Sequence, residues 1–113
     1  MTITYKVKGY NLTTTNLTTV LTINTSSVAI IKEIKVVNDA VSEVLVNFNF
    51  TDFSETTSYK FFNTKISANS TDDAVNNALI LEEGDSLSFQ ADTSNAISGQ
   101  ISYALLTRTG ENG

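Results

Sequence analysis

The sequence predicts an all-β fold: a single antiparallel β-sandwich of about eight strands, jelly-roll-like, with an immunoglobulin-like sandwich as the alternative. Three observations carry this. Apolar and polar residues alternate with period two, as Val44, Val46, Phe48 and Phe50 do against Leu45, Asn47 and Asn49. Such stretches recur at spacings of roughly ten residues, separated by turn-forming residues. Charged residues are only 17% of the chain and Thr, Ser and Asn fill the gap, a balance that favours strand over helix.

The stretch Val28 to Asp52 organises the rest. Two apolar runs flank a polar break, Asn38-Asp39-Ala40-Val41-Ser42, and read as a central hairpin with a tight Asn-Asp turn. In the first run Ile30, Ile34 and Val36 share a face that Lys32 interrupts, with Ile31 and Val37 opposite. A bulge near Lys32-Glu33 would bring Ile31 and Ile34 to one side.

Before that stretch, Ile3 to Lys8 sets Ile3, Tyr5 and Val7 against Thr4, Lys6 and Lys8. This is a first strand ended by Gly9, either pairing within the domain or reaching to a neighbour as an arm. Tyr10 to Thr15 reads as a polar connection. Leu17 to Ile23 is a second strand, with Leu17, Thr19, Leu21 and Ile23 on one face, and Asn24 to Ser27 is a turn.

After it, Phe53 to Thr57 is a hairpin-like loop, and Ser58 to Asn63 is a short aromatic strand with Tyr59, Phe61 and Phe62. Lys65 to Ala68 is a brief extended piece and Asn69 to Asp73 a turn. Asp72 to Asn77 reads as one helical turn capped by Ser70 or Thr71. Leu79 to Leu81 is a short strand. In Glu82-Glu83-Gly84-Asp85, Gly84 supplies the positive φ of a tight turn. Ser86 to Ala91 points Leu87, Phe89 and Ala91 inward, and Asp92 to Gly99 reads as a hairpin loop. Ile101, Tyr103 and Leu105 alternate with Ser102, Ala104 and Leu106 in a final strand.

A chain of 113 residues, 41% of them hydrophobic, is expected to form one domain, with residues 1–10 an arm or edge strand and 107–113 a flexible tail. There is no Cys and no His. Disulfides and thiolate zinc sites are thereby excluded, and the commonest metal ligand and general base are missing. A net charge of −5 argues against nucleic acid and against an anionic membrane surface. The stretch MTITYKVKGY has no apolar signal region, and no apolar run approaches the roughly 20 residues of a membrane span.

Each chemical motif has a bland counterpart. Glu82, Glu83 and Asp85 are candidate calcium ligands, but calcium loops space several ligands at alternate positions, and three acids round one Gly are the pattern of a solvated turn. Asp72-Asp73 is weaker still. Asp52, Glu55, Asp92 and the other acids fall in predicted loops, with no nucleophile motif to suggest carboxylate catalysis. Asn11, Asn16, Asn24, Asn49 and Asn69 match the glycan-acceptor pattern, which a chain rich in Asn and Thr meets by chance. Tyr59, Phe61 and Phe62 have the spacing of core aromatics, and a nucleic-acid platform would need a basic groove. The expectation is no enzyme activity, no cofactor and no metal.

One ordered series goes further. It runs Leu17-Thr18-Thr19-Val20-Leu21-Thr22-Ile23, then Ile30-Ile31-Lys32-Glu33-Ile34-Lys35-Val36-Val37-Asn38. Ile66-Ser67-Ala68-Asn69-Ser70 follows, then Leu79-Ile80-Leu81-Glu82-Glu83-Gly84-Asp85-Ser86-Leu87 and Ala91-Asp92-Thr93-Ser94-Asn95-Ala96. This resembles a group of small tailed-bacteriophage virion proteins, over residues 17–106. The chain departs from their usual Pro before the third strand, having Ile23-Asn24-Thr25 there.

The resemblance implies a non-enzymatic β-sandwich component of a virion, assembled in the bacterial cytoplasm. The leading expectation is a capsid decoration or cement protein, with the major capsid protein or other virion subunits as partners and many copies or a homo-oligomer on the particle. A neck, tail or fibre subunit is the alternative. A carbohydrate-binding module using Tyr59, Phe61 or Tyr103, or a calcium-dependent adhesion domain, belongs to a different class. Candidate protein-contact residues are Ile3, Tyr5, Val7, Phe53, Tyr59 and Phe62.

Overall fold

The computed structural model describes residues 2–75 and 78–108, and nine strands run through them. They are β1 (Thr2–Leu12), β2 (Thr18–Thr22), β3 (Ser27–Asn38), β4 (Val44–Asp52), β5 (Thr57–Ile66), β6 (Ser70–Val75), β7 (Leu79–Leu81), β8 (Ser86–Ala91) and β9 (Ile97–Thr107). The five-stranded sheet has the order β1-β9-β3-β6, with β7 pairing β3 beside β6. The four-stranded sheet has the order β2-β8-β4-β5. All pairings are antiparallel. With β6 and β7 counted as one interrupted strand, this is the order of an eight-stranded jelly roll.

The core lies between the sheets. Phe48, Phe89, Leu12, Ile31, Ile34, Val36 and Leu87 are fully buried in it. Phe48 stands at its centre, with its ring 4.7 Å from Phe89 and 5.6 Å from Phe62. The inward alternation of Val44, Val46 and Phe48, and of Leu87, Phe89 and Ala91, is as the sequence predicts. So is the bulge in β3. The register with β9 slips between Ile31 and Glu33, and Ile31 and Ile34 are both buried. Lys32 is the extra residue and stays in solvent. The slip also turns Ile30 to the outer face, opposite Ala104, so Ile30 and Ile34 do not share a side.

Several local expectations are corrected. β3 and β4 are not a hairpin, because they belong to different sheets. The polar break is a crossover held by Asn38, whose buried amide donates to the carbonyls of Ile66 (2.9 Å), Ser42 (3.0 Å) and Ser67 (3.2 Å). Its oxygen accepts the Ala40 N–H at 2.8 Å. Asp92 to Gly99 is likewise a crossover, and Ile97 is buried at the start of β9. The first strand runs past Gly9 to Leu12, and Tyr10 and Leu12 enter the core. In β2 a register slip between Thr19 and Leu21 buries Val20 and Leu21 together and leaves Leu17 exposed.

The expected helical turn over Asp72 to Asn77 is strand β6 as far as Val75, because its backbone completes the ladder on β3. Asn76, Asn77 and residues 109–113 of the expected tail lie outside the described residues. Thr107 is still in β9, paired with Thr2 and Ser27.

Candidate interaction surface

Register decides which side chains share a face. Directly paired residues project to the same side of a sheet. On the outer side of the five-stranded sheet, one row is Ile3, Leu106 and Val28. The next is Tyr5, Ala104, Ile30 and Ile80, drawn from β1, β9, β3 and β7. Val7 begins a third row with Ser102 and Glu33.

The opposite parity faces the core. Leu105, Tyr103 and Leu79 pack against it, whereas Val28, Ile30, Ile80 and Leu106 do not. Ala104 separates the two sides most clearly. It is only 4% exposed, yet it is no part of the interior cluster, so its cover comes from neighbours on the outer face.

Ile3, Tyr5, Val7 and Ile80 are 57, 77, 65 and 54% exposed. With the half-buried Val28, Ile30 and Leu106 they set roughly 500 Å² of apolar surface on one side of one sheet, near the top of the roughly 300–600 Å² of a monomer's largest patch. Scattered exposed apolar residues are ordinary. Seven on adjoining rows of four paired strands are a built surface.

The same face turns polar along the strands. The next rows carry Glu33, then Gly9, Gln100, Lys35 and Asp73, then Asn11, Ser98, Val37 and Thr71. Lys35 Nζ lies 3.3 Å from Glu33 and 3.8 Å from Asp73. The hydrogen bond and charge of Glu33, with the charge of Asp73, hold the Lys35 ammonium above its usual pKa. The outer face of the four-stranded sheet is a contrast. Its rows pair Asn47 with Asn63 and Gln90, Asn49 with Lys60 and Ser88, and Thr51 with Ser58 and Ser86.

Of the sequence candidates, Ile3, Tyr5 and Val7 come together in this patch. β1 pairs β9 along its whole length, which rigidly displays them. Phe53, Tyr59 and Phe62 do not join them. Phe62 is spent on packing against Phe48, because the β5 bulge between Lys60 and Phe62 turns Phe61 and Phe62 both toward the core. Tyr59 is on that same inward side, stacked 5.4 Å from Phe50 at the rim, and its hydroxyl donates to Glu55 at 2.9 Å. That hydrogen bond and the Glu55 charge raise its pKa. Phe53 caps the β4–β5 turn and leans over Gly84.

Val28, Ile30, Ile80, Ala104 and Leu106 escape a reading of single strands as half-buried. Their signal is that Ile101–Leu106 and Val28–Ile31 are apolar on both faces. In β7, Leu79 and Leu81 facing inward forces Ile80 outward.

The acidic motifs are structural. Asp85 is buried, and its carboxylate accepts the N–H of Glu82 at 2.8 Å and of Phe53 at 3.0 Å, tying two turns together. Asp52 Oδ1 accepts the N–H and hydroxyl of Ser54 inside the β4–β5 turn. Asp92 accepts the Leu45 N–H. A groove of about 340 Å³ lined by Val28, Ser54, Glu82 and Glu83 lies where these turns meet β3. It carries no nucleophile beyond the Ser54 hydroxyl, which is bonded to Asp52.

No protein-family model and no curated protein matches the chain. Among solved structures, it is similar to a protein described under "Bacillus endospore appendages form a novel family of disulfide-linked pili". The TM-score is 0.57 at 11% identity, covering 96% of this chain and 90% of that one. It is also similar to the Eiger TNF of S. frugiperda, with a TM-score of 0.41 at 12% identity, covering 91% of this chain and 68% of that one. At such identities the appendage protein shares a fold with this chain: the small jelly-roll sandwich.

Proposed function

We propose that the chain is a non-enzymatic structural subunit of a multicopy assembly, acting through protein–protein contacts. The observation that carries this is the apolar patch on the outer face of the five-stranded sheet. It is flat and rigidly backed by paired strands, and no acidic or basic side chain stands within its two apolar rows. That is the anatomy of a contact surface and not of a cleft for chemistry.

The finer reading is a virion protein of a tailed bacteriophage, foremost a capsid decoration protein seated on the major capsid protein. The ordered strand and turn motifs over residues 17–106 support it, and so does the small sandwich fold. Neck, tail and fibre positions belong to the same reading. A second reading, a filament or appendage subunit, is favoured by the fold shared with the Bacillus appendage protein. Those pili are disulfide-linked, whereas these 113 residues contain no Cys, so no disulfide joins copies through them.

Quantitative mass spectrometry of purified particles, measured against the major shell protein, tests the reading. About one copy per shell subunit, or one per several, is the decoration result. A much lower ratio moves the chain to neck, tail or fibres. Absence from every particle and filament of the source would overturn the structural reading.

A further inference from the structure

We propose that the apolar patch is covered by a second copy of this chain, the two five-stranded sheets packing outer face to outer face. This rests on reading the patch as a contact surface, and it names the partner.

Area is the first argument. Two patches of roughly 500 Å² bury roughly 1,000 Å² in total, which meets the lower bound for a specific interface. One copy therefore supplies what a weak dimer needs, with no other element recruited.

Charge is the second. The chain carries −5, so an approach of two copies through most of its surface is repulsive. The rows of Ile3 and Tyr5 contain no charged side chain. Beyond them along the strands the charges are of both signs: Lys35 lies between Glu33 and Asp73, and Lys32 is exposed in the bulge beside Glu33. Through these two rows, two like-charged chains meet without setting charged side chains against each other.

Shape is the third. In the second row the larger Tyr5 and Ile30 flank Ala104 and cover it, so the row presents a continuous apolar surface. Tyr5 is the most exposed apolar side chain of the patch and stands at one end of that row. A two-fold contact makes residue i meet j while j meets i. One Tyr5 ring can thus lie across the partner's second row while the partner's ring lies across its own. Sheets stacked this way lie about 10 Å apart, the spacing used inside a sandwich.

The test is sedimentation equilibrium on the full chain over roughly 1–500 μM, the span in which a small interface associates. The wild type is compared with Tyr5→Lys and Ile80→Lys, each checked for an unchanged far-UV spectrum. The two positions lie on different strands, so a folding defect in one variant leaves the other as the test. Wild-type mass is expected to climb from 12.2 kDa to a plateau at twice that value. Either folded lysine variant is expected to stay at one chain mass, a loss of at least tenfold in association. A wild type that stays monomeric to the top of the range overturns the proposal. So do variants that dimerise like the wild type, or a mass that passes two copies without a plateau. A monomer that is still abundant in particles would overturn this pairing and leave the structural reading standing. A dimer found in no particle would do the reverse.

Discussion

The Tyr10 phenol reaches across Gly99 to donate a 2.7 Å hydrogen bond to the Lys35 carbonyl. It thereby ties β1 to β3 over the intervening β9. Tyr10 and Gly99 are direct partners, and a Cβ on Gly99 would run into the Lys35 carbonyl oxygen and lie 2.8 Å from the Tyr10 hydroxyl. The edge strand that presents Ile3, Tyr5 and Val7 is anchored here, with the Tyr10 ring set edge-on 5.1 Å from Phe89.

This anchor gives a pH-dependent prediction. Burial pushes the Tyr10 phenol well above its ordinary value. An unfolded tyrosine ionises near pH 10, as a model peptide does. A raised folded pKa means that the stabilisation is fully present below about pH 10 and is lost as pH rises beyond it. Urea unfolding at a series of pH values is expected to show stability falling above about pH 10. Tyr10→Phe is expected to cost about 1 kcal/mol at neutral pH and to soften the alkaline fall. Some fall remains, because desolvation also raises Tyr103.

Asn38 closes the β3–β4 crossover with four hydrogen bonds from a buried side chain. Asn38→Ala strands three carbonyls and an N–H, and leaving a buried polar group unpaired costs about 1–3 kcal/mol, with water rescuing the outer ones. A loss of about 2–4 kcal/mol is expected from denaturant titration. A loss below about 0.5 kcal/mol would show that the crossover holds without it.

The turn around Asp85 predicts structural and not metal behaviour. Asp85→Ala removes the acceptor for two backbone N–H groups and is expected to lower stability by about 1–3 kcal/mol. Calcium is expected to leave the melting temperature unchanged, because a ligand bound only by the folded state must raise it. Gly84→Ala is expected to destabilise as well. Gly84 has φ of 83°, and a Cβ there would stand 2.7 Å from the Phe53 ring.

Phe48 is fully buried and meets three aromatic rings. Phe48→Ala empties the space between Phe89, Phe61 and Phe62 and is expected to cost about 3–5 kcal/mol in an unfolding titration. Tyr59→Ala, at the rim of the same aromatic group, is expected to cost much less.

Much of the fold is legible in single strands. The alternation in β4 and β8 names the core, and the sequence conflict at Lys32 names the bulge, since one extra residue moves a charged side chain off a buried face. Sheet partnership is less legible. Asn38-Asp39 looks like a hairpin turn, and only the long-range bonds of Asn38 to Ile66 and Ser67 show that the chain changes sheets. The contact surface is legible in part for the same reason. Ile3, Tyr5 and Val7 stand out along one strand. Their neighbours Leu106, Ile30 and Ile80 arrive from distant sequence positions, brought by register alone. Tyr59 and Phe62 read as equally good candidates until the β5 bulge assigns them to the inner side.

The most direct test of the central claim is hydroxyl-radical footprinting of the free chain at low concentration against the assembled one. Ile3, Tyr5, Val7 and Ile80 are expected to lose most of their reactivity on assembly, with Phe53 and Tyr59 unchanged. Protection of Phe53 and Tyr59 with Tyr5 and Ile80 still reactive would contradict the account and move the working surface to the β4–β5 end of the sandwich.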